Sequence, residues 1–184
     1  NMDFIGGGEE SFRFMVEDFV RDKDAVTSTL LACEIAALTK ANGSSFFNAL
    51  IDLYVSHGFF KERLVSITKK GKTGAQEIQK LMDEARTSPP IEINGSKVMK
   101  IDDYQCSSSY DTTTNSTSVI NIPKANVLIF TTEDGSRIAL RPSGTEPKIK
   151  YYISVNKALK TASEFKSTEQ ELEAKINKIL KTMR

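Results

Sequence analysis

Two consecutive prolines, Pro89 and Pro90, divide this 184-residue sequence into parts with different periodicity. Proline fixes φ and lacks a backbone N–H, so a helix that reaches this pair must end there. Before the pair, apolar residues recur mostly at helical spacing. After it, short runs of β-forming residues alternate with turn residues. The sequence therefore predicts a domain boundary here, with one unit over 1–88 and another over 89–184.

Three helices and one short extended segment are predicted before the prolines. Each helix has apolar residues spaced at three and four positions, and each ends at a glycine or proline signal. In chain order, the predictions are helix 24–42, a helix capped by Ser44 or Ser45 and ended by His57-Gly58, an extended segment at 63–68, and helix 74–86.

The part after the prolines has the pattern of a small antiparallel sheet with helical cover. Asn94-Gly95 is a hairpin signal, and the Ser/Thr-rich stretch at 107–118 is predicted to be a loop. A final helix is expected to start at the capping-box pattern Thr168-x-x-Glu171. Strands are predicted at 126–132, 137–140 and 149–155. This unit is therefore expected to be α+β.

Composition excludes several classes of partner and location. Twenty-five basic and 24 acidic residues give a formal net charge of +1, so no chain-wide field would attract nucleic acid or anionic membranes. There is no apolar run of about 18 residues and no signal-peptide pattern. Cys33 and Cys106 are far apart and outside metal-binding motifs, which favours reduced thiols. We expect a cytoplasmic protein without nucleic-acid or membrane partners.

The 141–148 segment reads RPSGTEPK and has the composition of an anion-binding turn. Its two prolines restrict the backbone at both ends, and Gly144 permits backbone angles that expose its N–H. Ser143 and Thr145 add hydroxyl donors. Successive amides in such a turn can form a concave anion site.

Basic side chains flank this turn. Arg141 offers a planar fork that matches two oxygens of a phosphate or carboxylate. Lys148 and Lys150 are two residues apart on a predicted strand and so share one face. The pattern favours a phosphate clamp. The alternative is a tight β-turn whose arginine pairs with a surface acid.

The 141–148 segment resembles the phosphate-binding loop of the α-D-phosphohexomutase superfamily, the phosphoglucomutases and phosphomannomutases. Gly-Gly-Glu-Glu-Ser at 7–11 and Val-Arg-Asp-Lys-Asp-Ala at 20–25 resemble its sugar-recognition loop and the basic segment that follows. The order and separation of these motifs also match. Further similarities are Phe59-Phe60-Lys61-Glu62, the double proline and the Asp134-Gly135 turn.

The resemblance implies the carboxy-terminal half of a four-domain enzyme. Residues 1–88 would be the end of an α/β third domain, and 89–184 an α+β fourth domain with an antiparallel sheet flanked by helices. The phosphorylated serine segment and the Asp-rich magnesium loop of domains one and two do not occur in this sequence. A metal site is therefore not expected here. Mg²⁺ would be bound by the missing domains, and this part alone would be inactive.

The implied activity is that of an isomerase. A phosphoserine phosphorylates a hexose monophosphate, the bisphosphate reorients, and the enzyme takes back the other phosphate, interconverting the 1- and 6-phosphates. A sugar 1,6-bisphosphate would act as activator. The resemblance assigns the phosphate to Arg141, Ser143, Gly144, Thr145 and Lys150, the sugar hydroxyls to Glu9 and Ser11, a second phosphate contact to Arg21, and catalysis to Lys23.

Several alternatives stay open on the sequence. Lys23 and Arg21 could be solvated or ion-paired charges beside neighbouring acids. Arg13 and Glu17 replace glycines usual in the family; if those positions need positive φ, each side chain costs about 1 kcal/mol. A stand-alone phospholigand-binding module is the alternative function. The choice among glucose, mannose and pentose phosphates is not determined.

Overall fold

The chain forms two compact units, Asn1–Ser56 and His57–Arg184. A computed structural model describes residues 4–9, 13–17, 22, 24–69, 71 and 73–183. No helix in these ranges is long and apolar enough to cross a membrane.

The first unit combines a hairpin with two helices. Strand β1 (Gly6–Glu9) pairs antiparallel with β2 (Arg13–Val16), and the ladder continues where the N–H of Glu17 donates to the carbonyl of Ile5 at 2.9 Å. Helices α1 (Ala25–Ala41) and α2 (Phe46–His57) follow. Both helices were predicted, within a residue or two at each end.

Side-chain caps fix the starts of both helices. Asp24 accepts hydrogen bonds from the backbone N–H groups of Val26 and Thr27 at 2.9 and 3.1 Å. Ser45, one of the two predicted caps, accepts from the N–H of Asn48 at 3.1 Å. These bonds satisfy N–H groups that have no partner inside the helix, which is why Asp and Ser favour these positions.

The second unit is an eight-stranded antiparallel sheet with two helices. Its strands are β3 (Phe59–Thr68), β4 (Glu92–Ile93), β5 (Ser96–Asp103), β6 (Ser108–Asp111), β7 (Ser116–Val119), β8 (Leu128–Thr132), β9 (Arg137–Pro142) and β10 (Lys148–Lys157). The strand order is β3-β10-β9-β8-β5-β6-β7, and β4 pairs with β5. Its helices are α3 (Gly74–Thr87) and α4 (Phe165–Thr182), the latter preceded by a 3-10 turn at Ala162–Glu164.

The core of this unit lies between one face of the sheet and the two helices. Strand β10 alternates strictly: every second side chain from Ile149 to Val155 is buried, and those between are half-exposed. Helix α3 contacts β9 and β10, and α4 contacts β10 and β3. The helices contribute Ile78 and Met82 from α3 and Leu172, Ile176 and Ile179 from α4. The antiparallel sheet flanked by helices, expected for the fourth domain, is therefore present.

The two units divide between Ser56 and His57, whereas the sequence places the boundary after residue 88. Strand β3 pairs along its whole length with β10, from Phe59 opposite Lys157 to Thr68 opposite Lys148. Helix α3 packs on the same sheet. The prolines end a helix, as predicted, but that helix belongs to the second unit. The pairing partner of β3 comes about 90 residues later, so local periodicity does not reveal it.

Two further local predictions differ from the structure. The 107–118 stretch is not a loop throughout but contains the β6–β7 hairpin. Its turn is built by Asp111, which accepts from the N–H groups of Thr113 and Thr114, and by Asn115 in the left-handed region with φ 52. Helix α4 begins at Phe165, not at Thr168, which is buried inside the helix.

Candidate anion site on strands β9 and β10

The 141–148 segment is the exposed connection between two central strands. Arg141 lies near the end of β9, residues 143–147 form the loop, and β10 begins at Lys148. Arg141, Gly144 and Thr145 are exposed and Ser143 is half-buried. The predicted clamp residues are therefore accessible to a ligand from solvent.

Backbone hydrogen bonds hold the loop at both ends. The N–H of Ser143 donates to the carbonyl of Lys148 at 2.8 Å, which closes the loop. The N–H of Lys69, just after β3, donates to the carbonyl of Pro147 at 2.8 Å. The N–H of Thr145 makes a longer 3.5 Å contact with Oγ of Ser143, so that hydroxyl keeps its proton for another acceptor. The loop is thus anchored rather than free.

Gly144 provides space for a ligand. A Cβ at Gly144 would meet no atom of the described residues within 4 Å, and the φ of Gly144 is outside the left-handed region. The sequence suggested that glycine is needed here for special backbone angles. The structure gives another reason, since the absence of a side chain leaves the backbone open to close approach.

Positive charge collects on one face of β9 and β10. Arg141 lies directly opposite Lys150 in the strand register, and directly opposed residues of an antiparallel pair project from the same face. Lys150 places its Nζ 5.9 Å from the centre of the Tyr152 ring. Lys148 shares this face, as predicted, because it precedes Lys150 by two residues.

Glu146, the acidic residue of the 141–148 segment, forms an ion pair with Lys148. Nζ of Lys148 lies 2.6 Å from a carboxylate oxygen of Glu146. This hydrogen bond and the charge of Lys148 lower the pKa of Glu146. Within the described part of the chain, Arg141 forms no ion pair with a carboxylate. The arrangement therefore favours the clamp over the alternative in which the arginine pairs with a surface acid.

The residues predicted to contact the sugar lie in the first unit. Glu9 is the last residue of β1 and pairs with Arg13 of β2. Ser11, Arg21 and Lys23 lie outside the described residues. The structure thus places the five phosphate candidates on β9, β10 and the loop between them, whereas the sugar and catalytic candidates belong to the other unit.

Arg13 and Glu17, which stand where the resemblance implies glycine, differ in their backbone strain. Glu17 has φ 51, in the left-handed region that favours glycine, and lies at the open end of the β1–β2 hairpin. A non-glycine residue there costs about 1–2 kcal/mol. Arg13, in contrast, is part of a regular strand pair. The predicted strain therefore applies to Glu17 and not to Arg13.

Metal binding finds no support among the side chains described here. The described residues contain no group of three or more His, Cys, Asp or Glu side chains that could hold a metal ion. These residues therefore do not offer the ligand set that the Mg²⁺ implied by the resemblance would need.

Comparisons with known proteins agree with the fold. The family model described as "Phosphoglucomutase/phosphomannomutase, C-terminal domain" matches residues 65–172, and the one described as "alpha/beta/alpha domain III" of the same proteins matches residues 1–54. These ranges lie on either side of the structural division at residues 56 and 57.

Curated relatives carry the same name as the family models. A phosphoglucomutase of Staphylococcus aureus (strain bovine RF122 / ET3-1) is 44% identical over 147 residues, covering 80% of this chain and 26% of the relative. One from Staphylococcus haemolyticus (strain JCSC1435) is 37% identical over 153 residues, covering 83% and 28%. The chain thus spans about a quarter of the length of these relatives.

A solved structure shares the fold. The open form of the exocytosis-sensitive phosphoprotein pp63/parafusin of Paramecium, also described as a phosphoglucomutase, superposes with a TM-score of 0.51 at 18% identity. The match covers 95% of this chain and 30% of that one. With the family models matching on both sides of the division, the chain belongs to the phosphoglucomutase/phosphomannomutase family, in which it corresponds to part of domain III followed by the C-terminal domain IV.

Proposed function

We propose that this chain is the part of a phosphohexomutase that holds the non-reacting phosphate and the hydroxyls of a hexose phosphate. The observation that carries the proposal is the exposed 141–148 segment, whose arginine faces a lysine across a strand pair and forms no ion pair with a described carboxylate. The segment lies within the match to the C-terminal domain. The relatives named phosphoglucomutase support the isomerase reaction.

The proposed contacts follow from the chemistry of the loop. The guanidinium of Arg141 can donate two parallel hydrogen bonds to phosphate oxygens, which is stronger and more directional than a single contact. The Gly144 backbone and the hydroxyls of Ser143 and Thr145 would donate to the same anion. Lys150 adds charge from the neighbouring strand. A dianion bound this way is held without reacting, as the spectator phosphate requires.

The first unit would supply sugar recognition and a charge near the transferred group. Glu9 and Ser11 would bind the sugar hydroxyls, and Arg21 a phosphate. Lys23 would stabilise the charge that develops while the phosphoryl group leaves a serine oxygen and bonds to a sugar hydroxyl. The serine and the Mg²⁺ ligands belong to domains outside this sequence, and a sugar 1,6-bisphosphate would prime the reaction.

Replacing Arg141 tests the clamp. In the complete enzyme, Arg141→Ala should raise KM for glucose 1-phosphate and weaken inhibition by inorganic phosphate, because removing a charge-assisted pair costs about 1.5–3 kcal/mol, which corresponds to a factor of about 10–150. Arg137→Ala is the matched control. Arg137 is also exposed on β9 but lies about 13 Å away along the strand. Equal effects of the two substitutions, or no effect of the first, would refute the clamp.

A second experiment tests whether this chain needs the other domains of the enzyme for turnover. Glucose 1-phosphate turnover, with Mg²⁺ and glucose 1,6-bisphosphate present, should be measured for residues 1–184 alone and for the complete enzyme. We expect turnover by the complete enzyme only. Turnover by residues 1–184 alone would show that the phosphorylated nucleophile lies within this sequence.

A further inference from the structure

A buried glycine contacts a residue that is hydrogen-bonded to the proposed phosphate-binding segment. Gly74 is the first residue of α3 and is buried. A Cβ at this position would lie 2.2 Å from the carbonyl oxygen and 2.9 Å from the carbonyl carbon of Lys69. Its φ is outside the left-handed region. Glycine is therefore needed here for space, because any side chain would overlap the backbone of Lys69.

Lys69 connects this glycine to the 141–148 segment. Its carbonyl faces Gly74, while its N–H donates to the carbonyl of Pro147 at 2.8 Å. That bond extends the pairing of β3 with β10, in which Thr68 lies opposite Lys148. Lys69 thus contacts the start of α3 through its carbonyl group and the 141–148 segment through its N–H group.

Helix α3 is anchored in the core of the second unit. Ile78 and Met82 of α3 are 4% and 0% exposed. At the far end, Nε of Arg86 donates to a carboxylate oxygen of Asp103 at 3.1 Å, which ties α3 to strand β5. Moving α3 would disturb this packing, and close-packed cores resist such shifts. A side chain at position 74 would therefore displace Lys69 instead.

We infer that Gly74 is a positioning residue for the phosphate-binding loop, acting through Lys69 and Pro147. The inference rests on the proposed function of the 141–148 segment. The close approach at Gly74 sets the position of Lys69, whose N–H fixes the carbonyl end of the loop. Because the N–H of Ser143 closes the loop onto Lys148, a shift at Pro147 reaches the donors of the clamp.

The test compares two crowded glycines in the complete enzyme. Gly74→Ala should raise KM for glucose 1-phosphate and the inhibition constant of inorganic phosphate about tenfold, while kcat changes less than about threefold, since a lost spectator contact weakens ground and transition states alike. Gly135→Ala is the control. Gly135 lies in the β8–β9 turn, at the opposite end of β9, with φ 77 and a would-be Cβ 2.8 Å from Nδ2 of Asn156.

Both substitutions should lower Tm, but only Gly74→Ala should weaken phosphate binding. Unchanged phosphate affinity in folded Gly74→Ala, or an equal loss in Gly135→Ala, would overturn the inference. Arg141→Ala, measured in parallel, distinguishes a failure of the positioning role from a failure of the proposed function. If it weakens phosphate binding while Gly74→Ala does not, only the positioning role fails. If it has no effect, the proposed function fails as well.

A measurement on the unsubstituted enzyme covers the case in which Gly74→Ala does not fold. Saturating inorganic phosphate should slow hydrogen exchange of the Lys69 amide, because a ligand that orders the loop strengthens the bond to Pro147. The peptide containing the 133–136 turn serves as internal control and should not change. Equal exchange at Lys69 with and without phosphate would contradict the inference.

Discussion

At the scale of single residues, glycines at different positions in the second unit serve different purposes. Gly95 has φ 80, and a Cβ there would meet no described atom within 4 Å, so glycine is required at this position for its backbone angle. Gly144 has equally open space but an ordinary φ. No described residue excludes a side chain at Gly144, which supports the proposed close approach of a ligand as the reason for glycine there.

This difference leads to opposite expectations for two alanine substitutions. Gly144→Ala should change the free energy of unfolding by less than about 0.5 kcal/mol, yet it should weaken inorganic phosphate binding because the methyl group occupies the approach to the backbone. Gly95→Ala should lose about 1 kcal/mol or more of stability and keep its phosphate affinity. Denaturant unfolding and phosphate inhibition of the complete enzyme measure both quantities. Phosphate affinity preserved in Gly144→Ala would exclude close approach at this residue.

Glu17 is a second residue at which the backbone angle, rather than side-chain contacts, determines how a substitution should change the free energy of unfolding. Because it holds φ 51, Glu17→Gly should increase the free energy of unfolding by about 1 kcal/mol. Glu17→Ala removes the same carboxylate but keeps the strained angle, so it should not stabilise. Denaturant titration of both variants distinguishes the effect of the lost charge from the effect of the backbone angle. Equal stabilisation by alanine would show that the charge was the cause.

The sequence predicts the clamp residues because each has a chemical signature, a guanidinium, hydroxyls and a glycine between prolines. It cannot predict Lys69 or Gly74 as neighbours of that clamp. Their roles depend on a hydrogen bond between residues 78 positions apart and on a steric contact beneath it. No local pattern distinguishes a glycine required for space from one that merely ends a turn.

At the scale of elements, the β8–β9 turn is joined to α4 through one carboxylate. Asp134 accepts from Oγ1 of Thr132 and Oγ of Ser136, both at 2.7 Å, and lies 2.8 Å from Nζ of Lys175. Burial alone would raise the pKa of Asp134, but these donors, led by Lys175, outweigh it and hold the pKa well below its usual value. The turn and the helix therefore depend on an ionised aspartate.

This predicts loss of stability in acid. A group whose pKa is lower in the folded state contributes fully above its unfolded pKa, about 3.9, and loses that contribution as the pH falls towards the folded value. The side chain is 38% exposed, so after solvent screening we expect Asp134→Asn to cost about 1 kcal/mol at pH 7. The difference from wild type, measured by urea unfolding, should shrink below about pH 4.

Glu133→Gln is the control, since it removes a neighbouring carboxylate in the same turn. A difference between wild type and Asp134→Asn that stays constant from pH 7 to pH 3 would mean that ionisation of Asp134 does not link the turn to the helix.

Elements with strong local signals were predictable, and those that depend on register were not. Helices α1 to α3 and strands β8 to β10 follow their hydrophobic periods. The β6–β7 hairpin was missed because its strands consist largely of Ser and Thr, and β7 is exposed throughout. Ser and Thr occur in loops and in exposed strands alike. Here the pairing of β6 with β5 determines that the segment forms strands.

At the scale of the whole molecule, the core is unevenly shared between the two units. Of the buried apolar side chains in the described ranges, Ile51 alone lies in the first unit; the others lie between Phe59 and Ile179. Helix α1 has no buried residue, and its Val26, Leu30 and Leu38 are more than 60% exposed. Among the described residues, the second unit therefore has the core of an independent domain, whereas the first unit contributes a single buried apolar side chain.

The division between Ser56 and His57 predicts which polypeptide folds alone. Residues 57–184 keep β3, whose Phe59 stacks on Phe165 of α4 with ring centres 5.2 Å apart. They also keep α3, with its buried contacts to the sheet. We expect a single cooperative thermal transition for residues 57–184, as two-state unfolding of a small domain requires.

Residues 89–184, which start at the double proline, should lack that transition. They lose β3 and α3, which exposes the edge of β10 and removes Phe59, Ile78 and Met82 from the core, each worth about 1.5–3 kcal/mol of burial. Residues 69–184, which keep α3 but lose β3, should unfold at a lower temperature than residues 57–184. Calorimetry of the three polypeptides measures this order. Equally cooperative unfolding of residues 89–184 and 57–184 would place the domain boundary at the prolines instead, because β3 and α3 would then not be needed for the stability of the domain.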